Sequence, residues 1–317
     1  MRNGRFLAKI HFIMTMDIAN MEPAREDLRD PSYLKIRDLV CQDSGIYHPE
    51  EKLYLLASRC VRRMAAVGAK TPTEYLAKLT SPGSRETELQ HLLNEITIGE
   101  TYMFRCAPQL RALRNIVLPQ IVQGQGSSST SHLRVWSAGC STGEEPYTLA
   151  MFLFGECRQQ LAGWTFQIVA TDVNDDALAA ARSGIYGEYA LRSTPKSLRK
   201  AFFRPRGADQ LQVNDQLMRA VRFERLNLCN DETMRTMQGM DIIFCCNVLI
   251  YFDLDAKRRV IRHFFRNLVP GGYLFLGNAE SLFQVDDQFR LVRFPGAIGY
   301  RKPCLADAGR KSPGALP

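Results

Sequence analysis

The stretch VWSAGCSTGEEPY, residues 135–147, decides the fold of the larger part of this chain. Apolar residues give way to small ones around Gly139 and a helix start follows, which predicts a strand, a tight turn and a helix in succession. Glycine lets a ligand approach the backbone because no Cβ stands in the way, and the first turn of a helix offers unpaired N–H groups. The stretch therefore predicts a ligand-binding turn, with a purely structural turn as the alternative.

Two carboxylates, Glu144 and Glu145, follow the turn and restrict the kind of ligand. A pyrophosphate, as in NAD or FAD, favours a G-x-G-x-x-G turn and would be repelled by negative charge at the helix start. A nucleoside that carries a sulfonium and an ammonium group, as S-adenosylmethionine does, would be attracted. The alternative is that both carboxylates only complement the positive end of the helix dipole.

The character of the sequence changes near residue 130. Residues 31 to 95 have the spacing of amphipathic helices, one of which is expected to begin at a Thr71 cap with Pro72 in its first turn. Short apolar runs then alternate with helical stretches, which predicts a parallel sheet covered on both faces. The predicted strands are Leu133–Cys140, Phe166–Val173, Met240–Asn247 and Gly272–Gly277, and the predicted helices between them are Glu144–Gln160, Asp175–Ser183 and Asp255–Leu268.

Composition limits the class of protein. The net charge of +8 favours acidic partners without choosing among nucleic acid, an anionic membrane and an acidic protein. The nine cysteines include no C-x-x-C pair, which predicts reduced thiols in a cytoplasmic protein and no metal site. No apolar run is long enough to span a membrane, so membrane insertion is not expected.

Polar residues near the predicted strand ends are the first candidates for a site, because sheets of this kind bind ligands at the carboxyl ends of their strands. Asp172 ends the second strand and has the chemistry to accept both hydroxyls of a ribose; capping the next helix is the alternative, and Asn174 competes for that role. Asn247 ends the third strand, with the Tyr251 hydroxyl close by. A core aromatic pair of Tyr251 and Phe252 is the alternative there.

Arginines indicate where acidic groups bind. Arg105 lies among apolar residues, where its planar fork suits a carboxylate, although a surface arginine beside an apolar helix would have the same sequence. Arg59 shares a helix face with Arg62 or Arg63 by spacing. This basic helix is either an ordinary solvated face or a docking surface for an acidic helical partner.

Five segments taken together resemble the CheR-type chemotaxis receptor methyltransferases. They are WSAGCSTGEEPYTLA, ATDVN, ARSGIY, FCCNVLIYF and PGGYLFLGNAESL, and an ITxxxTxxFR segment precedes them. The similarity runs in order from about Pro49 to Tyr300, and linked motifs at these spacings are much more specific than any one of them.

The resemblance implies S-adenosylmethionine-dependent methylation of glutamate side chains on chemotaxis receptors, giving glutamate 5-O-methyl esters and S-adenosylhomocysteine. The basic helix with Arg59, Arg62 and Arg63 would bind the helical cytoplasmic region of a receptor. We also expect a cytoplasmic monomer that binds no nucleic acid. Arg105 and Tyr251 are the residues expected to hold the substrate carboxylate. The expected cofactor-binding residues are Gly99, Thr101, Arg105, Gly139, Glu144, Asp172, Asn227, Leu228, Asn247 and Val248.

We therefore predict an α/β fold: a Rossmann-like class I methyltransferase sheet with a small inserted β-subdomain, preceded by an all-α domain. The family usually has Asn in place of Gly99 and an aromatic residue in place of Met103, which puts one cofactor hydrogen bond in doubt. The predicted boundaries are a disordered extension at 1–28, a helical domain at 29–95, a linker and helix at 96–131, a methyltransferase domain at 132–302 with its insertion at about 187–225, and a disordered tail at 303–317.

Two other functions remain open at this stage. A methyltransferase for another protein, a nucleic acid or a small molecule would have a similar charge. RNA-binding faces, however, usually interleave aromatic with basic residues, and the segment Arg59–Arg63 lacks that pattern. A cofactor-binding signalling module without catalysis is the second, and the presence of both Arg105 and Tyr251 argues against it.

Overall fold

The computed structural model describes residues 30–124 and 131–304, and the chain divides into two compact units after Ile98. The predicted disordered extension at 1–28 lies outside the described residues, as do residues 125–130 of the predicted linker and helix at 96–131. The predicted tail lies outside them from residue 305 onward. Within the described residues, no helix combines the length and apolarity that crossing a bilayer requires.

The first unit, over residues 30–98, is all-α, as its helical spacing predicted. Its interior is formed by apolar side chains that are completely buried, among them Ile36, Leu56, Leu79 and Leu92. The helices are α1 (Ser32–Ser44), α2 (Leu53–Val67), α3 (Pro72–Thr80) and α4 (Arg85–Ile96), with a 3-10 turn at Glu50–Lys52.

The start of α3 has the predicted cap. The Thr71 hydroxyl accepts a hydrogen bond from Glu74 N at 3.1 Å, and Pro72 occupies the first turn. The Glu74 carboxylate accepts in return from Lys70 N at 2.7 Å. These side chains satisfy backbone donors that a helix start otherwise leaves without partners.

The second unit alternates strands and helices. Its helices are α5 (Ala107–Ala112), α6 (Leu118–Gly124), α7 (Glu144–Phe154), α8 (Asp175–Ser183), α9 (Glu188–Leu191), α10 (Lys196–Phe202), α11 (Asp215–Ala220), α12 (Asp231–Met234) and α13 (Leu254–Asn267), with a π-helical segment at Leu113–Val117 and a 3-10 turn at Leu249–Tyr251. Its strands are β1 (His132–Ala138), β2 (Thr165–Asp172), β3 (Ile185–Gly187), β4 (Phe203–Arg206), β5 (Gln210–Val213), β6 (Val221–Arg225), β7 (Met240–Cys245), β8 (Leu268–Leu276), β9 (Arg290–Phe294) and β10 (Ala297–Arg301).

The main sheet has seven strands in the order β6-β2-β1-β7-β8-β10-β9. The first five are parallel to one another, and β10 pairs antiparallel with both β8 and β9. In register, Ala138 lies beside Thr171, and Asp172 beside Arg225. The carboxyl ends of β6, β2, β1 and β7 therefore lie along one edge, which is where the polar candidates were predicted.

Several element ends differ from their predicted positions. Strand β1 ends at Ala138 rather than at Cys140, and β8 begins at Leu268 rather than at Gly272. Helix α7 ends at Phe154 rather than at Gln160, because Gly155 closes it by donating its N–H to Met151 O. Strand β7 ends at Cys245 rather than at Asn247, because Asn247 has a left-handed φ of 63°, which does not belong to an extended strand.

The segment predicted as an insertion forms a small antiparallel sheet of β3, β5 and β4, in that order. Its bounds differ from the predicted 187–225 at both ends. The small sheet begins at Ile185, and Val221–Arg225 returns to the main sheet as β6, with Val221 buried beside Ile168 of β2.

Candidate active site

The turn after β1 is in close contact with its neighbours at the strand edge. Gly139 has a φ of 77°, and a Cβ at this position would lie 2.3 Å from Cγ2 of Val248. The N–H groups of Gly139 and Cys140 donate to Thr171 O at 2.8 and 2.9 Å. Only glycine combines this backbone conformation with so little space. The structure thus brings together Gly139 and Val248, two of the predicted cofactor residues.

Asp172 ends β2 with its carboxylate held by backbone donors. Oδ2 accepts from Ser141 N at 2.8 Å and Oδ1 from Asn174 N at 2.9 Å. The cap of α8 is Asn174, whose side chain accepts from Ala177 N at 2.8 Å, so the alternative of Asp172 as that cap is excluded. Burial raises the pKa of Asp172. The N–H of Val173 is a third backbone donor to this carboxylate. A carboxylate has about four lone pairs, so Asp172 retains the capacity to accept from a ribose.

Glu144 begins α7 with a buried carboxylate. The residue is 4% exposed, and its Oε2 accepts from the Thr142 hydroxyl at 2.7 Å. Burial raises the pKa of Glu144, and the hydrogen bond from Thr142 opposes that rise. A nearby cation and the helix N-terminus both favour the ionised form, so the two interpretations of this carboxylate are compatible.

Glu145, the second carboxylate of the turn, accepts a hydrogen bond from the Ser137 hydroxyl at 2.7 Å. Burial of its carboxyl group raises the pKa of Glu145 to about 7. The negative charge of Glu280 acts in the same direction, whereas the positive charge of Arg105 lowers this pKa. Arg105 and Glu280 therefore lie within electrostatic range of the turn.

The loop after β7 is fixed by the carboxylate of Glu280. Oε2 accepts from the N–H groups of Asn247 and Gly277, both at 2.7 Å, and Oε1 accepts from Ile250 N at 3.2 Å. One side chain therefore ties together the ends of β7 and β8 and stabilises the left-handed conformation of Asn247. The prediction of site residues did not include Glu280.

Arg105 and Tyr251, the expected substrate-binding pair, lie within electrostatic range of each other. Arg105 is exposed, and its Nη1 donates to Glu100 O at 2.8 Å. Burial raises the pKa of Tyr251, and the positive charge of Arg105 lowers it. Phe252 is 8% exposed, whereas the neighbouring Tyr251 is only half-buried. This difference argues against a core aromatic pair and leaves the phenol accessible.

The segment that carries Gly99 and Thr101 borders the same turn. The carbonyl of Gly99 accepts from the Ser141 hydroxyl at 3.3 Å, and Thr101 is half-buried. Met103 is completely buried, and its N–H donates to Ala190 O at 2.9 Å. Met103 therefore fills the interior at this position.

Asn227 and Leu228 follow β6, with Leu226 between the strand and Asn227. The N–H of Leu226 donates to Asp172 O at 2.9 Å, which brings this segment to the end of β2. Leu228 is 6% exposed, and the Asn227 side chain accepts from Cys229 N at 2.9 Å. The structure therefore places both residues at the edge where Asp172 lies.

In the helical unit, Arg63 has a structural partner. Its Nε and Nη2 donate to the two oxygens of Glu88 at 3.0 and 2.8 Å. Glu88 is 5% exposed and also accepts from the Tyr75 hydroxyl at 2.8 Å. The expectation that Arg63 belongs to the docking surface is revised, because its charge neutralises a buried carboxylate.

Arg59 and Arg62 are half-buried. Arg62 pairs with Glu95 at 3.0 Å. The pKa of Arg59 is lowered by burial and by the positive charge of Arg62, while Glu95 opposes both effects. These two arginines remain the candidates for contact with an acidic partner.

Two family models match the chain, one over each unit. Residues 31–97 match the all-alpha domain of the CheR methyltransferases, and residues 99–298 match their SAM binding domain. The chain belongs to the CheR methyltransferase family. This membership confirms the predicted fold class and the S-adenosylmethionine cofactor.

Relatives of known name cover most of the chain. Chemotaxis protein methyltransferase 2 of Vibrio cholerae is 34% identical over 90% of this chain and 98% of its own length. A chemotaxis protein methyltransferase of Borreliella burgdorferi is 34% identical over 77% and 86%, respectively. Chemotaxis protein methyltransferase 1 of Pseudomonas aeruginosa is 34% identical over 81% and 92%. The prediction of a methyltransferase enzyme is confirmed.

Tyr186 is a second residue that the prediction of site residues missed. Its hydroxyl donates to Thr142 O at 2.8 Å, and a Cβ on Gly143 would lie 2.9 Å from it. Tyr186 and Glu280 both occur in segments that carry the family resemblance. Their partners are mainly backbone groups distant along the chain, which side-chain chemistry in the sequence does not reveal.

Proposed function

We propose that this CheR-family protein methylates glutamate side chains in the helical cytoplasmic region of chemotaxis receptors, forming glutamate 5-O-methyl esters and S-adenosylhomocysteine. One observation carries the proposal: the strand edge that holds Asp172, the Gly139 turn and the Asn247 loop also has Arg105 and Tyr251 within electrostatic range of each other. The names of the relatives support the same class of substrate.

The residues present fit the cofactor. Asp172 has the capacity to accept from a ribose. Gly139 has no Cβ, so a ligand can approach the backbone of the turn beside Val248. The buried carboxylate of Glu144 favours a nearby positive charge. When bound, S-adenosylmethionine supplies a methyl group on a positively charged sulfur.

The acceptor chemistry requires little from the protein. A glutamate carboxylate is already ionised at neutral pH, since its unperturbed pKa is about 4.3, so no general base is needed. With the cofactor bound, this carboxylate would be the nucleophile towards the methyl group, and the neutral thioether S-adenosylhomocysteine would be the leaving group. Arg105 and Tyr251 orient the carboxylate and replace its water. Too strong a pairing with Arg105 would weaken the nucleophile, so the hold is positional.

All of these residues belong to one chain, and we propose that it acts as a monomer in the cytoplasm, without nucleic acid. Receptor docking is assigned to the basic helix α2, through Arg59 and Arg62. The positive net charge of the chain suits an acidic helical partner.

The test is methyl transfer from tritiated S-adenosylmethionine to receptor-containing membranes, comparing the native protein with Arg105→Ala and with Arg158→Ala, a change at another exposed arginine. We expect base-labile label on the receptor with the native protein and with Arg158→Ala. Arg105→Ala should lose transfer while keeping much of its cofactor affinity, measured by calorimetry.

Each contrary outcome has a definite meaning. Alkali-stable label, or label on nucleic acid or a small molecule, would overturn the proposed product or acceptor. Cofactor binding without any transfer would support the non-catalytic module instead. Transfer at the native rate by Arg105→Ala would remove Arg105 from the substrate site.

A further inference from the structure

Three side chains of types that commonly ligate metals come together beside the candidate active site. The Sγ atoms of Cys106 and Cys246 and a carboxylate oxygen of Glu145 all lie within 4.8 Å of one another. The Cys246 thiol is within hydrogen-bonding reach of both Cys106 and Glu145. The proposed methyl-transfer chemistry uses none of these three groups.

The spacing of the three atoms suits a tetrahedral site. Zinc binds thiolate sulfur at about 2.3 Å and carboxylate oxygen at about 2.1 Å, so ligand atoms in such a site lie about 3.5–3.8 Å apart. Movements of about 1 Å in the side chains would bring the three atoms from their present positions to that spacing. All three residues are half-buried, and water would supply the fourth ligand of such a site.

We propose that Cys106, Cys246 and Glu145 form a binding site for a soft divalent cation of the zinc class, and that the bound ion opposes cofactor binding. Two thiolates select soft or borderline metals, whereas Mg²⁺ and Ca²⁺ prefer oxygen ligands only. On binding, the two thiols release their protons to the buffer as their sulfurs bind the ion.

Neighbouring groups support the ligand set. The Ser137 hydroxyl donates to Oε1 of Glu145 at 2.7 Å, an outer contact of the kind that orients a ligating carboxylate. Among nearby charges, Glu280 favours a cation and Arg105 opposes it. These two single charges offset each other, so the three ligands decide whether the ion binds.

The sequence predicted no metal site because the ligands are not close along the chain. Cys106 precedes α5, Glu145 lies in the first turn of α7, and Cys246 follows β7. The fold brings these three segments together. A bound ion would therefore connect the Arg105 segment, the glycine turn and the Asn247 loop.

The opposition to the cofactor rests on the proposed function. A divalent ion ligated by Glu145 places positive charge next to Glu144, at the turn that is proposed to attract the sulfonium and ammonium groups. The ion also fixes Cys246, the residue before Asn247. Charge repulsion and restraint of this loop both weaken cofactor binding.

The site is tested directly with cobalt, which replaces zinc and shows a thiolate-to-metal absorption band in the near ultraviolet. The full-length protein, reduced and stripped of metal, is titrated with Co²⁺ and then with Zn²⁺. We expect one cobalt per chain, a thiolate band, and its loss as zinc displaces cobalt. A thiol count before the titration excludes a disulfide between Cys106 and Cys246 as a cause of failure.

Cys246→Ser, Cys106→Ser and Glu145→Gln are compared with Cys41→Ser, a half-buried cysteine of the helical unit. Each cysteine change at the site should abolish the band or weaken affinity at least about 10-fold, and Glu145→Gln should weaken it as well. Cys41→Ser should bind as the native protein does. Circular dichroism detects a variant that fails to fold. If one cysteine variant does so, the other still tests the site.

Cofactor affinity is then measured by calorimetry with and without saturating Zn²⁺, and we expect a loss of at least about 10-fold that is absent in Cys246→Ser. A thiolate band that survives in both cysteine variants would overturn the site. Unchanged cofactor affinity in zinc would overturn the opposition. A protein that binds no cofactor even without zinc would instead contradict the proposed function, and the cobalt titration would still decide the site.

Discussion

The contact between Gly139 and Val248 is the tightest constraint at the level of single residues. Any other residue at Gly139 would combine a strained left-handed backbone with a Cβ 2.3 Å from Cγ2 of Val248. We expect Gly139→Ala to lower the free energy of unfolding by about 2–5 kcal/mol, the sum of backbone strain and overpacking. Denaturant unfolding and cofactor calorimetry measure this loss and the accompanying fall in affinity.

Gly163 provides a matched control, because its φ is 80° and a Cβ there would meet nothing within 4 Å. Gly163→Ala should cost only the backbone strain, about 1–2 kcal/mol, with cofactor affinity unchanged. If both variants lost the same free energy of unfolding, the contact between a Cβ at position 139 and Val248 would not contribute to the destabilisation.

Glu280 is a second residue whose contacts make a sharp prediction. Its two oxygens accept three backbone N–H groups, from Asn247, Gly277 and Ile250. In Glu280→Gln, an amide NH2 group replaces one carboxylate oxygen. This group is a donor and cannot accept from the backbone N–H that it faces. We expect a loss of about 1–3 kcal/mol in stability, since a donor is left without its charged acceptor. Weaker cofactor binding should accompany it, because the Asn247 loop is no longer fixed.

Glu51→Gln, a change of the same type at an exposed position, should alter stability by less than about 0.5 kcal/mol. Thermal unfolding of both variants, with and without cofactor, makes the comparison. If Glu280→Gln behaved like Glu51→Gln, the carboxylate would not be what holds the loop.

At the level of elements, the strands that lead to the site are the ones that sequence predicts best. The strands β1, β2 and β7 are apolar runs bounded by turn residues, and each was located to within a few residues. From the sequence alone, Asp172 and Asn247 could therefore be placed at one edge of the sheet. The roles of Glu280 and Tyr186 could not, because their backbone partners are brought near only by the fold.

The strands β9 and β10 show the opposite case. Several of their side chains are exposed, including Leu291 and Ile298, and neither strand is a continuous apolar run. Their antiparallel pairing at the end of the sheet depends on tertiary contact with β8, so no local pattern predicted it. The insertion was predicted to extend to residue 225, but Val221–Arg225 pairs with β2 as a strand of the main sheet, in which only Val221 is buried.

The contact between α2 and α4 makes a prediction about the helical unit. Removing Arg63 leaves the carboxylate of Glu88, which is 5% exposed, with the Tyr75 hydroxyl but with no positive partner among the residues that the structure describes. We expect Arg63→Ala to destabilise this unit by about 2–4 kcal/mol, because an uncompensated buried charge is costly. Hydrogen exchange of the α2 and α4 amides reports this unit separately from the sheet.

Arg59→Ala is the control, with an expected change below about 1 kcal/mol. The pair also separates two roles on one helix, since Arg59→Ala should raise the KM for the receptor without loosening the unit. A stable Arg63→Ala protein with a raised receptor KM would restore the original assignment of Arg63 to docking.

At the level of the whole molecule, receptor binding and cofactor binding should depend on salt to different degrees. The net charge of +8 and the basic helix α2 act on a macromolecular partner across solvent, where salt screens: the Debye length is about 10 Å at 0.1 M and about 3 Å at 1 M. The carboxyl groups of Glu144 and Asp172 are buried, and screening reaches them less. We therefore expect salt to raise the KM for receptor several-fold while the KM for cofactor changes less.

Initial rates against each substrate at low and high salt check this, with Arg59→Ala expected to show a weaker salt effect on the receptor KM. A receptor KM that is insensitive to salt would mean that docking depends on apolar contacts and not on α2.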